Sequence, residues 1–318
     1  MAEFKEDARY VRNPREVAIP PGSVREKVLT WIHLMGGMTT TPLIEEYFFR
    51  HLYVPKGKPS RESSDQCIKV VLNDLFDGGH LFRPEQQMDL RHRRRFPLVH
   101  QVSFEGEQFL KDRNLFSEKA PNPWGTYEHN MLAAVLYQGY ALSAEKHGVP
   151  FTPQHEFLKD RPSFFNFQIG GKETELRPDL IFMMKNGNTE CVIFFEMDRG
   201  TVAVKKTDKR RKSLGRNADE YYEFIGRGDR DEKLYKKFLK LSKNVGAQVH
   251  FVTVIPRFER AMHEQVKRAG GSSYFLTHIC TEATEKSYPI GYIDMLSILW
   301  NRADEKPYRW VEVDNAVA

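Results

Sequence analysis

The stretch Glu175–Thr201, ELRPDLIFMMKNGNTECVIFFEMDRGT, constrains the fold of this chain more than any other. Two apolar runs, Leu180–Met184 and Cys191–Phe195, are rich in Ile, Phe and Val and have the length of strands. Between them, Lys185-Asn186-Gly187-Asn188 supplies residue types that tolerate positive φ in a tight turn, so the segment predicts a β-hairpin. Acids stand at its open end: Asp179 at the entrance of the first strand, Glu196 and Asp198 at the exit of the second. In an antiparallel hairpin those two places are neighbours, and Glu196 and Asp198, two apart, share a face. Carboxylates gathered beside so apolar a pair of strands call for a cation, a proton or a basic partner. The plainer reading is that both strand ends face water and the acids only solubilise them.

Upstream, the order of elements reads as a second, separate unit. Residues 1–22 predict an extended, flexible arm, punctuated by Pro14, Pro20 and Pro21. Ser23 with Glu26 three residues on is a capping-box pattern, and Val24, Val28, Leu29, Trp31, Ile32 and Met35 form a helical stripe that Gly36-Gly37 stops. A second helix starts at Thr39–Thr41 with Pro42 in its first turn, and a third runs from Ser60–Ser64 to Asp77-Gly78-Gly79. Residues 80–83 and 96–104 predict two strands joined by a loop that carries Arg91-His92-Arg93-Arg94-Arg95. Three helices, a strand, a basic loop and a strand is the order of a winged helix, with the third helix in the major groove and the loop along the backbone. On that reading Gln66, Lys69 and Asn73 reach bases from the third helix, and Arg91, Arg93, Arg94 and Arg95 neutralise phosphates. A protein-docking module of the same shape is the alternative. The winged-helix domain spans 23–112, and 113–126, with Pro121, Pro123 and Gly125, reads as a linker.

From 127 to 318 the pattern is a long helix to His147, a strand at 151–157, a Phe-rich piece, the hairpin, a basic run, a helix ending in 218–225, a Lys-rich helix at 234–242, strands at 247–255 and 272–280 around a helix at 257–269, and an amphipathic piece at 293–300. The basic run, Lys205 to Lys212 with Arg216 beyond it, adds Lys209, Arg210 and Arg211 as phosphate contacts. Net charge is only +5, so the basic residues matter by placement rather than by total. Three scattered cysteines show no metal spacing and suit a reducing interior; no apolar run reaches membrane-spanning length, and the cytoplasm is the expected compartment.

A mixed sheet flanked by helices with acids converging at one end resembles the PD-(D/E)XK nuclease superfamily, through Pro178-Asp179 and Glu196-Met197-Asp198. Arg177-Pro178-Asp179, Glu196-Met197-Asp198-Arg199-Gly200-Thr201 and the helix opening Glu128-His129-Asn130 together resemble the replication-relaxation family of plasmid, phage and integrative-element proteins, over roughly residues 24–280; MobC-type relaxases are a related group. The resemblance implies an α/β fold (α+β overall): an N-terminal winged helix-turn-helix, then a PD-(D/E)XK-like domain with a mixed central sheet. It implies Asp179, Glu196 and Asp198 as catalytic residues, and Glu128, Asp179 and Glu196 as ligands of Mg²⁺ or Mn²⁺. Where the superfamily has a lysine two residues after the second-strand Glu, this chain has Asp198, leaving Lys206, Lys209, Lys212 or Arg216 as the substitute. The partners implied are double-stranded DNA, other replication or mobilisation proteins and a second copy of the chain, with no membrane. Three functions remain in competition: a DNA-binding protein of a mobile element, a metal-dependent endonuclease or nickase, and a protein-interaction adaptor.

Overall fold

The computed structural model describes residues 11–55, 60–89, 97–122, 125–198, 214–226, 233–253, 256–270, 275–279 and 292–311. The chain divides into two compact units, Met1–Asn122 with Ile290–Tyr292 and Pro123–Pro289 with Ile293–Ala318. The division falls inside the stretch 113–126. Both units mix helices and strands. None of the described helices is long and apolar enough to cross a membrane.

The first unit runs α1 (Val24–Leu34), β1 (Met38–Thr40), α2 (Thr41–His51), α3 (Arg61–Asp77), β2 (Leu81–Phe82), α4 (Gln86–Asp89), β3 (Val99–Val102) and α5 (Phe104–Asp112). Ser23 caps α1 by accepting from Glu26 N, one of the helix's orphan donors, while the Glu26 carboxylate takes Gly22 N, just before the cap, at 2.5 Å. One face of each long helix is apolar, and Val28, Leu29, Ile32, Ile44, Phe48, Ile68, Leu72 and Leu75 close into a single core. Each such side chain, fully buried, contributes about 1.5–3 kcal/mol. The sheet has the order β1-β3-β2, all antiparallel. Its strands are shorter than 80–83 and 96–104 predict, because Pro84 and Pro97 have no N–H to give a ladder. β1 is too short to leave a periodic signal.

Residues 11–22, part of the expected arm, are tied to α3 and β2. Asn13 N donates to Asp77 Oδ1 at 3.1 Å, Arg15 pairs with Asp74 at 2.5 Å, and the Arg12 guanidinium lies 5.5 Å from the centre of the Phe76 ring. Asp74, also held by Arg25, is 7% exposed, so the arm covers a carboxylate that two guanidinium groups neutralise.

The second unit begins with α6 (Tyr127–Lys146), β4 (Phe151–Thr152), α7 (Gln154–Phe157) and the hairpin β5 (Phe165–Ile169)–β6 (Lys172–Leu176). The strand predicted over 151–157 is therefore a two-residue strand and a helical turn. Pro153 ends the strand, and the turn is pinned where Tyr137 Oη accepts from Gln154 N and Gln154 Oε1 accepts from Ile181 N. The hairpin β7 (Leu180–Asn186)–β8 (Thr189–Asp198) follows, closed by a turn in which Gly187 takes φ 57°. Then come α8 (Leu214–Tyr221), which runs into a π-helical turn (Tyr222–Gly226), α9 (Leu234–Leu239), β9 (Gly246–Thr253), α10 (Pro256–Gly270), β10 (Phe275–Ile279), β11 (Trp300–Arg302) and β12 (Pro307–Tyr308).

Seven strands form a mixed sheet in the order β12-β11-β10-β9-β8-β7-β4, with β8, β9 and β10 parallel and the rest antiparallel. Alternation along β8 and β9 sorts the two faces. Val192, Phe194, Ala247, Val249 and Phe251 pack with residues of α8, α9 and α10 and with the β5–β6 hairpin. Phe182, Phe195 and His250 turn the other way, to Tyr140 of α6 and, for His250, to Trp300.

Candidate functional site: the acidic end of the sheet

β8 ends in Phe194-Phe195-Glu196-Met197-Asp198, and alternation puts Phe194, Glu196 and Asp198 on the face covered by α8. Asp179, just before β7, is anchored through its main chain, whose N donates to Phe195 O at 3.1 Å. Its carboxylate is fully engaged. Oδ2 accepts from Met197 N at 2.8 Å, and Oδ1 accepts from His129 Nε2 at 3.0 Å. His129 sits in the first turn of α6, and this pair is largely shielded, with side-chain exposures of 16% and 14%. Gly125 makes room for the ring: a Cβ there would meet His129 Cδ2 at 2.6 Å.

Glu196 is held from the opposite side. The hydroxyl of Tyr221, the last residue of α8, donates to Glu196 Oε1 at 2.5 Å. Burial pushes the Tyr221 phenol well above its ordinary pKa, and the charges of Glu196, Asp179 and Glu220 push it the same way. The phenol therefore stays protonated and remains a donor. Asp198 is 6% exposed at the end of the strand.

Glu128 and His129 are consecutive on a helix, so their side chains diverge by about 100°. It is His129 that reaches Asp179, and Glu128, half-buried, does not join Asp179 and Glu196 in a ligand set. Among the described residues, no group of three or more His, Cys, Asp or Glu is placed to hold a metal ion. Asp179 and Glu196 are engaged by protein donors, from His129, Met197 N and Tyr221. Lys212, with Lys209, Arg210 and Arg211, lies outside the described residues, as do Arg199-Gly200-Thr201.

In the first unit, α3 buries Ser64, Ile68, Leu72 and Leu75 and exposes Gln66, Lys69, Val70 and Asn73. These four follow the three-and-four spacing of one helix face. Lys69 Nζ is 3.5 Å from Glu45, and Asn73 Oδ1 accepts from Arg83 at 2.6 Å. Arg91, Arg93, Arg94 and Arg95 lie outside the described residues.

Sequence reasoning missed Tyr221. It is one of two adjacent tyrosines in Asp219-Glu220-Tyr221-Tyr222-Glu223, a string that reads as solvated helix. The pairing of His129 with Asp179 had a signal, the placement of both beside the same strand ends, but no spacing rule reveals it. Comparison with known proteins returned no matching family model, no matching curated protein and no matching solved structure.

Proposed function

We propose that this chain is a duplex-DNA-binding protein of a mobile element, acting in its replication, mobilisation or their control. On this reading the first unit is a winged helix and the second a PD-(D/E)XK-like domain. The observation that carries it is the exposed face of α3. Gln66, Lys69, Val70 and Asn73 present amide, ammonium and methyl groups on the third helix, the residue types that read base edges in a major groove. The connection between the strands that follow contains Arg91, Arg93, Arg94 and Arg95. The test is duplex binding as a function of salt. Reversing Arg93, Arg94 and Arg95 to Glu is expected to weaken binding on every sequence and to flatten the dependence of log K on log[salt], whereas Asn73→Ala changes sequence preference. Affinity that ignores both salt and the arginine run would overturn the proposal.

A second reading, a metal-dependent endonuclease or nickase, is favoured by Asp179 and Glu196 standing at the same end of the β7–β8 hairpin. Paired carboxylates suit a divalent cation. The measurement is cutting or relaxation of supercoiled plasmid carrying the element's own DNA, with Mg²⁺ or Mn²⁺, for wild type and Asp179→Ala. Metal-dependent cleavage that the substitution abolishes establishes the enzyme. Equal outcomes in both proteins end it.

A further inference from the structure

The β5–β6 hairpin joins no strand of the large sheet and forms a two-stranded sheet of its own. Its inner face is anchored: the rings of Phe165 and Phe167 lie against Phe224, and Phe165 also lies against Phe238. Its outer face carries Asn166 and Gln168 on β5 and Glu173 and Glu175 on β6, all exposed. The turn fixes which main-chain groups point outward. Gly170 and Gly171 both take positive φ, and Ile169 faces Lys172 across them, the geometry of a two-residue type I′ turn closed by a hydrogen-bonded pair. Bonded pairs alternate along an antiparallel ladder, so Phe167–Thr174 and Phe165–Leu176 are bonded as well. The N–H and C=O of Asn166 and Gln168 therefore point away from β6, and they meet no main-chain partner among the described residues.

The outer edge of β6 is different. Its outward groups belong to Glu173 and Glu175, and α8 lies beside that strand. Charged side chains keep an edge from pairing with its own copy, whereas β5 carries none and its register is unbroken by proline or bulge. Phe164, which precedes β5, leaves a large apolar ring 43% exposed. At the other end of the strand the space over Gly170 is open, since a Cβ there would meet no atom within 4 Å.

We infer that β5 is a self-pairing edge, through which two copies of this chain join antiparallel about a two-fold axis at Phe167. Asn166 then stands opposite Gln168 of the second copy, and the symmetry repeats the pair. Both residues point their main-chain groups outward, so all four N–H and C=O pairs close at once. The side-chain amides of each pair lie side by side and bond to one another. In the same register Phe164 falls over Gly170 of the second copy, where no side chain competes for the space. The equivalent pairing of two β6 edges sets Glu173 against Glu175 and repels. A foreign strand uses the main-chain groups alone; the matched amides and the fit of Phe164 over Gly170 are properties of two identical edges. The contact is small, so the association is weak, with a dissociation constant on the order of 10–100 μM.

The experiment is sedimentation equilibrium of the full chain, which is expected to pass from monomer to dimer between about 5 and 500 μM. The double variant Asn166→Lys, Gln168→Lys gives each lysine a glutamate across its own hairpin, Glu175 and Glu173, and so keeps the fold. Between copies it sets lysine against lysine, and the dimer is expected to weaken by at least about tenfold. Register is read by oxidative crosslinking. A mixture of Asn166→Cys and Gln168→Cys chains places the two thiols on Cα atoms about 5.5 Å apart, within disulfide reach, and should crosslink well above the level either variant gives alone. A chain that stays monomeric throughout leaves the edge to a foreign strand and overturns the inference. A dimer indifferent to the lysines, or crosslinking as strong in either cysteine variant alone, overturns it too.

Discussion

At the scale of single residues, the acidic end of the sheet is a problem of compensating charge, and Tyr221 is one of the groups that solves it. Its hydroxyl faces Glu196 at 2.5 Å from a fully buried position. Removing a hydrogen bond to a charged group costs about 1.5–3 kcal/mol. Tyr221→Phe is therefore expected to lower stability in urea by about that amount while leaving the apolar ring in place. A change below about 0.5 kcal/mol would show that solvent takes over the role of the hydroxyl. Histidines give a second prediction. Burial pushes His250 and His100 down to about 3 and His278 to about 4, from an ordinary value of 6.5. His250 is locked as a neutral ring: Nε2 donates to Gln248 Oε1 and Nδ1 accepts from Tyr140 at 2.5 Å. As pH falls below 6.5, the unfolded chain takes up protons that the folded one refuses, so stability is complete above that value and declines toward pH 4. The urea midpoint should drop between pH 7 and pH 5. A midpoint unchanged over that range would contradict these assignments.

At the scale of elements, close approaches carry the argument. Gly106 in the first turn of α5 faces the carbonyl of His80, where a Cβ would lie 2.2 Å from the oxygen. That oxygen is main chain and is itself fixed, since it accepts from Ser103 N. Gly106→Ala is expected to destabilise the first unit by about 1–3 kcal/mol despite alanine's better helix propensity, read as a lower thermal midpoint. The β7–β8 hairpin was legible because two long apolar runs flank a glycine turn. The β5–β6 hairpin carries an equally good signal: Phe165, Phe167 and Ile169 alternate, and Gly170 and Gly171 take φ 56° and 78°. The sequence reading gives there only a Phe-rich piece, without a strand. β1, β11 and β12 are two or three residues long, too short for period to appear. At the site, Asp179, Glu196 and Asp198 were legible because strands fix which residues share an end. The groups that engage two of them, His129 and Tyr221, come from helices distant in sequence, and only tertiary packing brings them together.

At the scale of the whole molecule, the two neighbours of β8 reach it by different routes. β7 pairs with it antiparallel across a two-residue turn, Asn186 facing Thr189. β9 pairs with it parallel, Cys191 facing Gly246, and the chain between them must first lay down α8 and α9. A hairpin closes in about 1–10 μs. Parallel pairing across so long a connection waits on loop-closure entropy. Asp179 and Glu196 thus belong to the part that assembles early, whereas Tyr221 arrives with the late part. Until α8 docks, the hairpin holds its carboxylates together without the phenol that later shields one of them. Assembly of this unit should therefore run faster at higher salt, where that repulsion is screened.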